Sequence, residues 1–212
     1  MAALTLDQQE KTISLYKSGL SMQQVADYFG VGLGAVLYIL RKNKIPRRTS
    51  AESNRLIFEA EPLSFTVLQN LTREQERVRL AAVMLYWAEG YKIGTSVDFA
   101  NSDPDVALIF VKFLREICNV DYQRIRCYVY GYEGQNIASL THFWSSYLDI
   151  PEYQFTKPYI KKAAPGPRGP RMQHGLVHVR YCDTKLLRQI LFWINEFRLE
   201  CVGGGVVNRK GL

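Results

Sequence analysis

The 212-residue sequence predicts an α+β protein: an N-terminal three-helix module followed by a larger domain with helices on one face of a mainly antiparallel sheet. In the first 48 residues, apolar residues recur at helical spacing between short polar and glycine-containing turns. Beyond residue 70, helical stretches alternate with short segments of alternating apolar and polar residues, which is typical of strands. With 47% hydrophobic and 12% aromatic residues, the chain has enough apolar material for a packed core.

Three helices are predicted in the N-terminal module. The first carries Leu6, Ile13, Leu15 and Tyr16 and ends at Ser18-Gly19. The second begins at Ser21, because a serine with glutamine three residues later forms a reciprocal cap. After the tight turn at residues 30–32, the third helix covers residues 33–42. Its inward face comprises Val36, Ile39 and Leu40.

Residues 21–36 resemble the helix-turn-helix of resolvase-type and other bacterial DNA-binding domains. Small Ala26 and turn-forming Gly30 allow the two helices to cross steeply, so that the second can enter a major groove. The expected DNA-facing positions of the third helix are Leu33, Gly34, Leu37, Tyr38 and Arg41. Pro46 makes the following segment extended, and it resembles the basic arms that track DNA. The expected arm residues are Lys42, Lys44, Arg47 and Arg48.

Charge divides the chain further. Residues 1–48 hold seven Lys or Arg and three acidic residues, whereas residues 49–70 are net acidic and rich in Ser, Thr and Pro. This shift predicts a helix-turn-helix module at 1–48, a linker at 49–70, an α+β domain at 71–202 and a tail at 203–212.

In the larger domain the element order follows the same patterns. Strands are predicted at 96–101, 124–132, 154–160 and 176–181, and helices at 104–118, 137–148 and 184–198, with a Pro/Gly-rich loop at 163–170. The segment 97–114 aligns without gaps with 177–194, since both have a strand, an Asp cap and an apolar helix. This is either an internal duplication or the common appearance of any strand–cap–helix unit.

The helix of residues 80–90 is apolar around nearly its whole circumference and ends in Glu89-Gly90, so we expect it to be buried and stopped by a left-handed Gly90. This run, together with residues 85–92 and 99–104, resembles the motif helix and flanking segments of LAGLIDADG homing endonucleases. The resemblance covers about residues 75–199. It implies that Glu89 holds a metal ion (Mg²⁺) for phosphodiester hydrolysis and that a homodimer through the Glu89 helix supplies the second acid. Lys92 is a further catalytic candidate; alternatively, Glu89 is an ion-pair partner of Lys92 or a polar helix end.

In that family the sheet lies in the major groove, and here the predicted strands and loops carry many basic and aromatic residues. The expected DNA-contacting residues of this domain are Arg124, Arg126, Tyr128, Tyr130, Lys157, Lys161, Lys162, Arg168, Arg171, His178 and Arg180. The alternative for this region is a solvated basic hairpin.

The net charge of +7 is compatible with a polyanionic partner. The N-terminus lacks the pattern of a signal peptide, so a cytoplasmic, nucleoid-associated protein is expected. Three functions stay open: a sequence-specific regulator that binds double-stranded DNA, a Mg²⁺-dependent site-specific endonuclease using Glu89, and a protein-interaction adaptor.

Overall fold

The structure, a computed structural model, describes residues 4–162 and 172–202 and confirms the α+β class. The chain divides into two compact units, Met1–Pro62 and Leu63–Leu212. The predicted loop at 163–170 and tail at 203–212 lie outside the described residues. No helix among the residues that the structure describes has the length and apolar character needed to cross a membrane.

Four helices form the first unit: α1 (Leu6–Lys17), α2 (Met22–Phe29), α3 (Leu33–Lys42) and α4 (Ser50–Ala60). Ser21 and Gln24 form the expected reciprocal cap of α2. Gly30 ends α2 in the left-handed region at φ 63°, which suits glycine because it lacks a Cβ. The core of this unit is made by Tyr16, Val25, Ala26, Val36, Ile39 and Leu40.

The segment 49–70, predicted as a linker, is instead structured at both ends. Thr49 and Glu52 form a capping box that starts α4, a local signal that the charge shift obscured. Residues after Pro62 belong to the second unit, where the Thr66 and Leu68 amides donate to the carbonyls of residues 118 and 117. The boundary between the compact units therefore lies at Pro62.

The second unit contains four further helices and a four-stranded sheet within the described residues. The elements are α5 (Arg73–Glu89), β1 (Val97–Asn101), α6 (Pro104–Lys112) continued by a π-helical turn (Phe113–Ile117), β2 (Arg126–Tyr132), α7 (Ile137–Leu148), β3 (Tyr159–Lys161), β4 (Leu176–Tyr181) and α8 (Thr184–Val202). Short 3₁₀ turns at Tyr122–Arg124 and Glu152–Gln154 precede β2 and β3.

The strand order is β1-β4-β2-β3, with two antiparallel pairings and a parallel pairing of β2 with β3. In the β1–β4 pair, Val97 lies opposite Tyr181 and Asn101 opposite Val177, so the pairing is centred on Phe99 and Val179. This is the register that a local twofold axis between the two aligned segments, 97–101 and 177–181, would produce.

Alternation of burial along β2 and β4 shows that one side of the sheet faces the core and the other does not. Residues Phe99, Cys127, Val129, Val177 and Val179 are buried on the core side, together with side chains of α5–α8 such as Trp144. The helices thus leave the second side of the sheet to carry polar and aromatic groups.

Three predicted bounds in this unit are corrected. Residue 124 belongs to a 3₁₀ turn, because the Asp121 side chain accepts from the Gln123 amide, and β2 begins only at Arg126. Gln154 is buried and donates to the carbonyls of residues 122 and 125 at 2.8 Å, which replaces a strand there with a turn, and β3 begins at Tyr159. The last helix runs to Val202 rather than 198.

Candidate nucleic-acid interface

The side of the sheet that faces away from the core, called here the open face, is formed by alternate residues of all four strands. By strand register its members are Asp98, Ala100, Arg126, Tyr128, Tyr130, Tyr132, Tyr159, Lys161, Leu176, His178 and Arg180. All are half-buried or exposed except Asp98, which is 7% exposed. A single buried carboxylate on an otherwise accessible surface requires partners, because burying an unpaired charge is costly.

Asp98 has its partners on β4, the central strand beside it. One carboxylate oxygen, Oδ2, accepts from Nε and Nη2 of Arg180 at 3.0 and 2.6 Å. The other, Oδ1, lies 2.9 Å from Nδ1 of His178. The Tyr128 hydroxyl closes the group from β2, at 2.8 Å from the same His178 nitrogen and 3.3 Å from Nη2 of Arg180. The four side chains form one hydrogen-bonded cluster across three strands, called here the Asp98 cluster.

Hydrogen bonds and burial within the Asp98 cluster determine the protonation states of Asp98, Arg180 and Tyr128. Burial alone would raise the pKa of Asp98, but the hydrogen bonds from His178 and Arg180 outweigh burial, and the pKa lies below its ordinary value. The same hydrogen bond raises the pKa of Arg180. Burial raises the pKa of Tyr128 to about 12, so its hydroxyl keeps its proton at neutral pH. Asp98 and Arg180 are therefore an ion pair throughout the physiological range.

Aromatic rings continue from this cluster toward β3. The Tyr128 and His178 rings stack with centroids 4.2 Å apart at 14°. Tyr130 lies 4.7 Å from the His178 ring and 4.8 Å from Tyr159, which is 55% exposed. Neighbouring rings in this row restrict each other's rotation, and the row is exposed to solvent at its β3 end.

The basic residues predicted to contact DNA from this domain differ in their exposure and in their hydrogen-bond partners. Lys157, Lys161 and Lys162 are exposed and make no hydrogen bond or ion pair with other described side chains. Arg126 is exposed, but its Nη1 atom donates to the carbonyls of residues 123 and 125. Arg124 is not on the open face: its guanidinium donates to the Cys182 carbonyl at 3.0 Å and lies over the ring of Tyr181. Arg168 and Arg171 lie outside the described residues.

In the first unit, α3 presents the side expected from the sequence. Leu33, Gly34, Tyr38 and Arg41 are exposed and Leu37 is half-buried. Gly34 has open space around the position of a Cβ, so nothing in the protein requires a glycine there. Lys42, Lys44 and Arg47, in the last turn of α3 and just beyond it, are exposed as well.

Arg48 does not extend as an arm. Its guanidinium donates to the carbonyls of Gly19 at 3.0 Å and Leu20 at 2.8 Å and also to that of Tyr16, whose ring it covers at 4.0 Å. Its backbone amide donates to the Tyr16 hydroxyl at 2.9 Å. Arg48 is thus a cap on the carboxyl end of α1, where a cation satisfies carbonyls without helical partners. The prediction that it contacts DNA is replaced by this structural role.

The end of α5 also differs from expectation. Gly90 is extended, at φ −73° and ψ 149°, instead of left-handed. A Cβ there would lie 2.4 Å from the buried Tyr86 ring, so glycine is needed for this close approach. The helix is buried on one side only, by Ala82, Val83 and Tyr86; its other side exposes Leu80 (48%) and Trp87 (37%).

Glu89 lies on that accessible end of α5. Its carboxylate is exposed and makes no hydrogen bond or ion pair with the residues that the structure describes. The Lys92 ammonium donates to the Gly90 carbonyl at 2.9 Å, so it is not the ion-pair partner of Glu89. Within residues 4–162 and 172–202, no three His, Cys, Asp or Glu side chains converge as metal ligands. A Mg²⁺ ion at Glu89 would need further ligands, from a second copy of the chain or from phosphate.

Of the residues in the Asp98 cluster and the aromatic row, Asp98 and Tyr159 are the two that were not predicted from the sequence. Asp98 was overlooked because it stands in an apolar strand without a local partner, and Arg180 lies 82 residues further along the chain. Tyr159 is not among the expected DNA-contacting residues, although it lies within the strand predicted at 154–160. An isolated acid flanked by buried Val97 and Phe99 is the signal that marks Asp98, since a strand interior rarely tolerates an unpaired carboxylate. No protein-family model, curated protein or solved structure matches this chain.

Proposed function

We propose that the chain is a sequence-specific double-stranded DNA-binding protein that acts as a regulator, with one contact surface on each compact unit. The observation that carries this is the open face, where an ordered polar cluster and a row of aromatic rings are combined with the exposed Lys161. Basic and hydrogen-bonding side chains projecting from strands can contact both phosphates and base edges.

The two kinds of contact are carried by different residues. Lys157, Lys161 and Lys162 are exposed, and among the described residues their ammonium groups have no hydrogen-bond or ion-pair partner, which suits phosphate contacts that give affinity in a salt-dependent way. The Asp98 cluster is held by strand pairing and hydrogen bonds, which suits the fixed geometry that base recognition needs.

On the first unit, α3 supplies a second surface. Gly34 has no side chain, so the start of the helix can approach a groove closely, and Tyr38 and Arg41 stand one and two turns further along with their side chains exposed. Lys42, Lys44 and Arg47 continue the positive charge beyond these residues. Arg48 has no part in this proposal.

The experiment is selection of bound sites from random double-stranded DNA with the full chain, followed by affinity measurements over a range of salt. We expect a defined consensus and a linear fall of log affinity with log salt concentration. Lys161→Ala should reduce the slope by roughly 0.9, the value for one lost phosphate contact. Lys112→Ala is the matched control, because Lys112 is an exposed lysine on α6, a helix of the core side. Absent or salt-insensitive binding would overturn the proposal and favour a protein-interaction adaptor.

A Mg²⁺-dependent endonuclease is the second candidate, favoured by the uncommitted carboxylate of Glu89. That carboxylate is exposed at a helix end. The same helix leaves Leu80 48% exposed and Trp87 37% exposed, the latter in edge contact with Phe197 of α8, and a second copy could cover what remains accessible. A dimer formed through this helix would add a second Glu89. Two carboxylates can hold metal ions that activate water and neutralise the leaving oxygen.

Sequencing of DNA ends after incubation of selected sites with Mg²⁺ separates the two candidates. The endonuclease predicts discrete cuts that Glu89→Gln abolishes while binding persists. The regulator predicts intact DNA with both proteins. Glu74→Gln is the control, since Glu74 is an exposed glutamate in the first turn of the same helix.

A further inference from the structure

Arg180 differs from the other basic residues of the open face in how its donors are used. Nε and Nη2, the two groups on one edge of the guanidinium, both donate to Oδ2 of Asp98. Nη1 makes no hydrogen bond with a described residue, and the remaining contact of Nη2 is to the Tyr128 hydroxyl at 3.3 Å. That distance is beyond the usual range for such bonds, so this contact is weak and easily exchanged. The second edge of the guanidinium, Nη1 with Nη2, is therefore available to a ligand.

The charge of Arg180 is already neutralised locally. Asp98 is only 9% exposed at its side chain, whereas Arg180 is 42% exposed, so a ligand meets the arginine and not the acid. A phosphate approaching this pair gains little, because the buried carboxylate repels it while the guanidinium attracts it. A neutral group with two hydrogen-bond acceptors is not repelled by the carboxylate and can still accept hydrogen bonds from Nη1 and Nη2, whose directions are fixed.

On the basis of the proposed DNA binding, we infer that Arg180 recognises a guanine in the major groove and that Asp98 is the positioning residue that holds it. Guanine presents two acceptors, N7 and O6, side by side at the groove edge, and the free edge of an arginine guanidinium matches them. Adenine presents a donor beside N7, and thymine and cytosine lack the paired acceptors.

The rest of the cluster supports the same role for Asp98. His178 approaches Oδ1, the oxygen that Arg180 leaves free, and thereby fixes the carboxylate plane. The Arg180 guanidinium also lies 5.3 Å from the ring of Tyr128, which restricts its movement on the other side. An arginine held in this way loses little rotamer freedom on binding, unlike the exposed Lys161 of the same face, which has no such contacts with described residues.

The first test changes the DNA and leaves the protein unaltered. After selection with the full chain, each conserved guanine of the consensus is replaced in turn by 7-deazaguanine, which lacks the N7 acceptor, or by inosine, which keeps both N7 and O6. We expect 7-deazaguanine to weaken binding at one particular guanine by roughly 5-fold or more, and inosine to have little effect there. The same 7-deazaguanine replacement should have no further effect on Arg180→Ala, because the donor it addresses is absent.

The second test uses the salt slope, which separates a base contact from a phosphate contact. Arg180→Ala should lose the preference for that guanine while the slope stays unchanged, because no phosphate contact has been removed. Asp98→Asn should lower the preference and steepen the slope by up to about one, since it leaves the guanidinium charge uncompensated. Lys161→Ala should do the opposite: a shallower slope with the guanine preference retained.

Two results overturn this inference while the proposed DNA binding stands. The first is a consensus in which every guanine can be replaced by 7-deazaguanine without weakening binding. The second is an Arg180→Ala variant that keeps every base preference while the slope of log affinity against log salt concentration falls by the value for one phosphate contact. If the wild-type chain selects no DNA at all, both proposals fail together. Native-like circular dichroism of each variant ensures that lost preference is not lost folding.

Discussion

Adjacent arginines in the first unit provide a sharp test of the structure, because Arg47 and Arg48 have the same chemistry and opposite surroundings. The Arg48 guanidinium donates to three backbone carbonyls at the end of α1 and lies over the Tyr16 ring. Arg47 is exposed and makes no hydrogen bond or ion pair with the residues described. We expect Arg48→Ala to destabilise the unit and Arg47→Ala to leave its stability unchanged.

The size of the effect follows from the contacts. A hydrogen bond with a charged donor contributes about 1.5–3 kcal/mol, and a partly exposed cation–π contact about 0.5–1 kcal/mol. The three bonds of Arg48 share one half-buried side chain and are not additive, so the total loss is about 2–4 kcal/mol. A unit of this size has only a few kcal/mol of stability in all, so Arg48→Ala should leave it close to unfolding. Arg47→Ala should cost less than about 0.5 kcal/mol.

Amide hydrogen exchange of the full chain, resolved by peptide mass spectrometry, measures this directly. In peptides from residues 4–62, Arg48→Ala should raise exchange roughly 30-fold or more, and Arg47→Ala should leave it as in the wild type. In DNA binding the order reverses, because Arg47→Ala should reduce the salt slope by about one phosphate contact. If the amide exchange of Arg48→Ala equals that of the wild type and the salt slope of its DNA binding falls as it does for Arg47→Ala, Arg48 is a phosphate contact and the capping assignment is refuted.

Three further outcomes are expected in the second unit. Gly90→Ala should cost about 1–3 kcal/mol in urea unfolding, because the new methyl group overlaps the buried ring of Tyr86; an equal cost in a Tyr86→Leu background would contradict this. Since the pKa of Asp98 is lowered on folding, its stabilisation is present above the ordinary value of 3.8 and is lost as the pH falls below it. Unfolding free energy should therefore decline less steeply with acid in Asp98→Asn, and equal declines would argue against the ion pair. A thiol reagent should titrate two cysteines rapidly in the native chain and four after denaturation, because two of the four are buried; burial raises the pKa of Cys127 to about 12.

Local signals in the sequence were sufficient where one short segment determines the structure. The caps at Ser21 and Asp103 and the bounds of α3 and α7 follow from neighbouring residues, and all four are confirmed. Glu89 and Gly90 were correctly placed at a helix end for a similar reason, although the glycine serves a close approach to Tyr86 instead of a left-handed turn.

Contacts between distant segments were beyond such reasoning. The cap that Arg48 places on α1 spans 32 residues to Tyr16, and the Asp98 cluster joins three strands. Arginine in an extended basic segment has the same sequence appearance whether it faces DNA or its own backbone. Only the register of the sheet distinguishes Arg180, held by a carboxylate, from Lys161, whose ammonium has no partner in the described part of the chain.

The centring of the β1–β4 pair on Phe99 and Val179 bears on the kind of target the open face would suit. A protein surface with twofold symmetry recognises a palindromic DNA site when symmetry-related positions carry the same side chains, as in symmetric DNA-binding dimers. Here the positions that the alignment makes equivalent differ: Asp98 corresponds to His178, and Ala100 to Arg180. The polar side chains are thus different at the equivalent positions of the two paired strands, β1 and β4. We expect the sites selected by this protein to be non-palindromic where they meet the sheet, even though the backbone register of the β1–β4 pair is that of a local twofold.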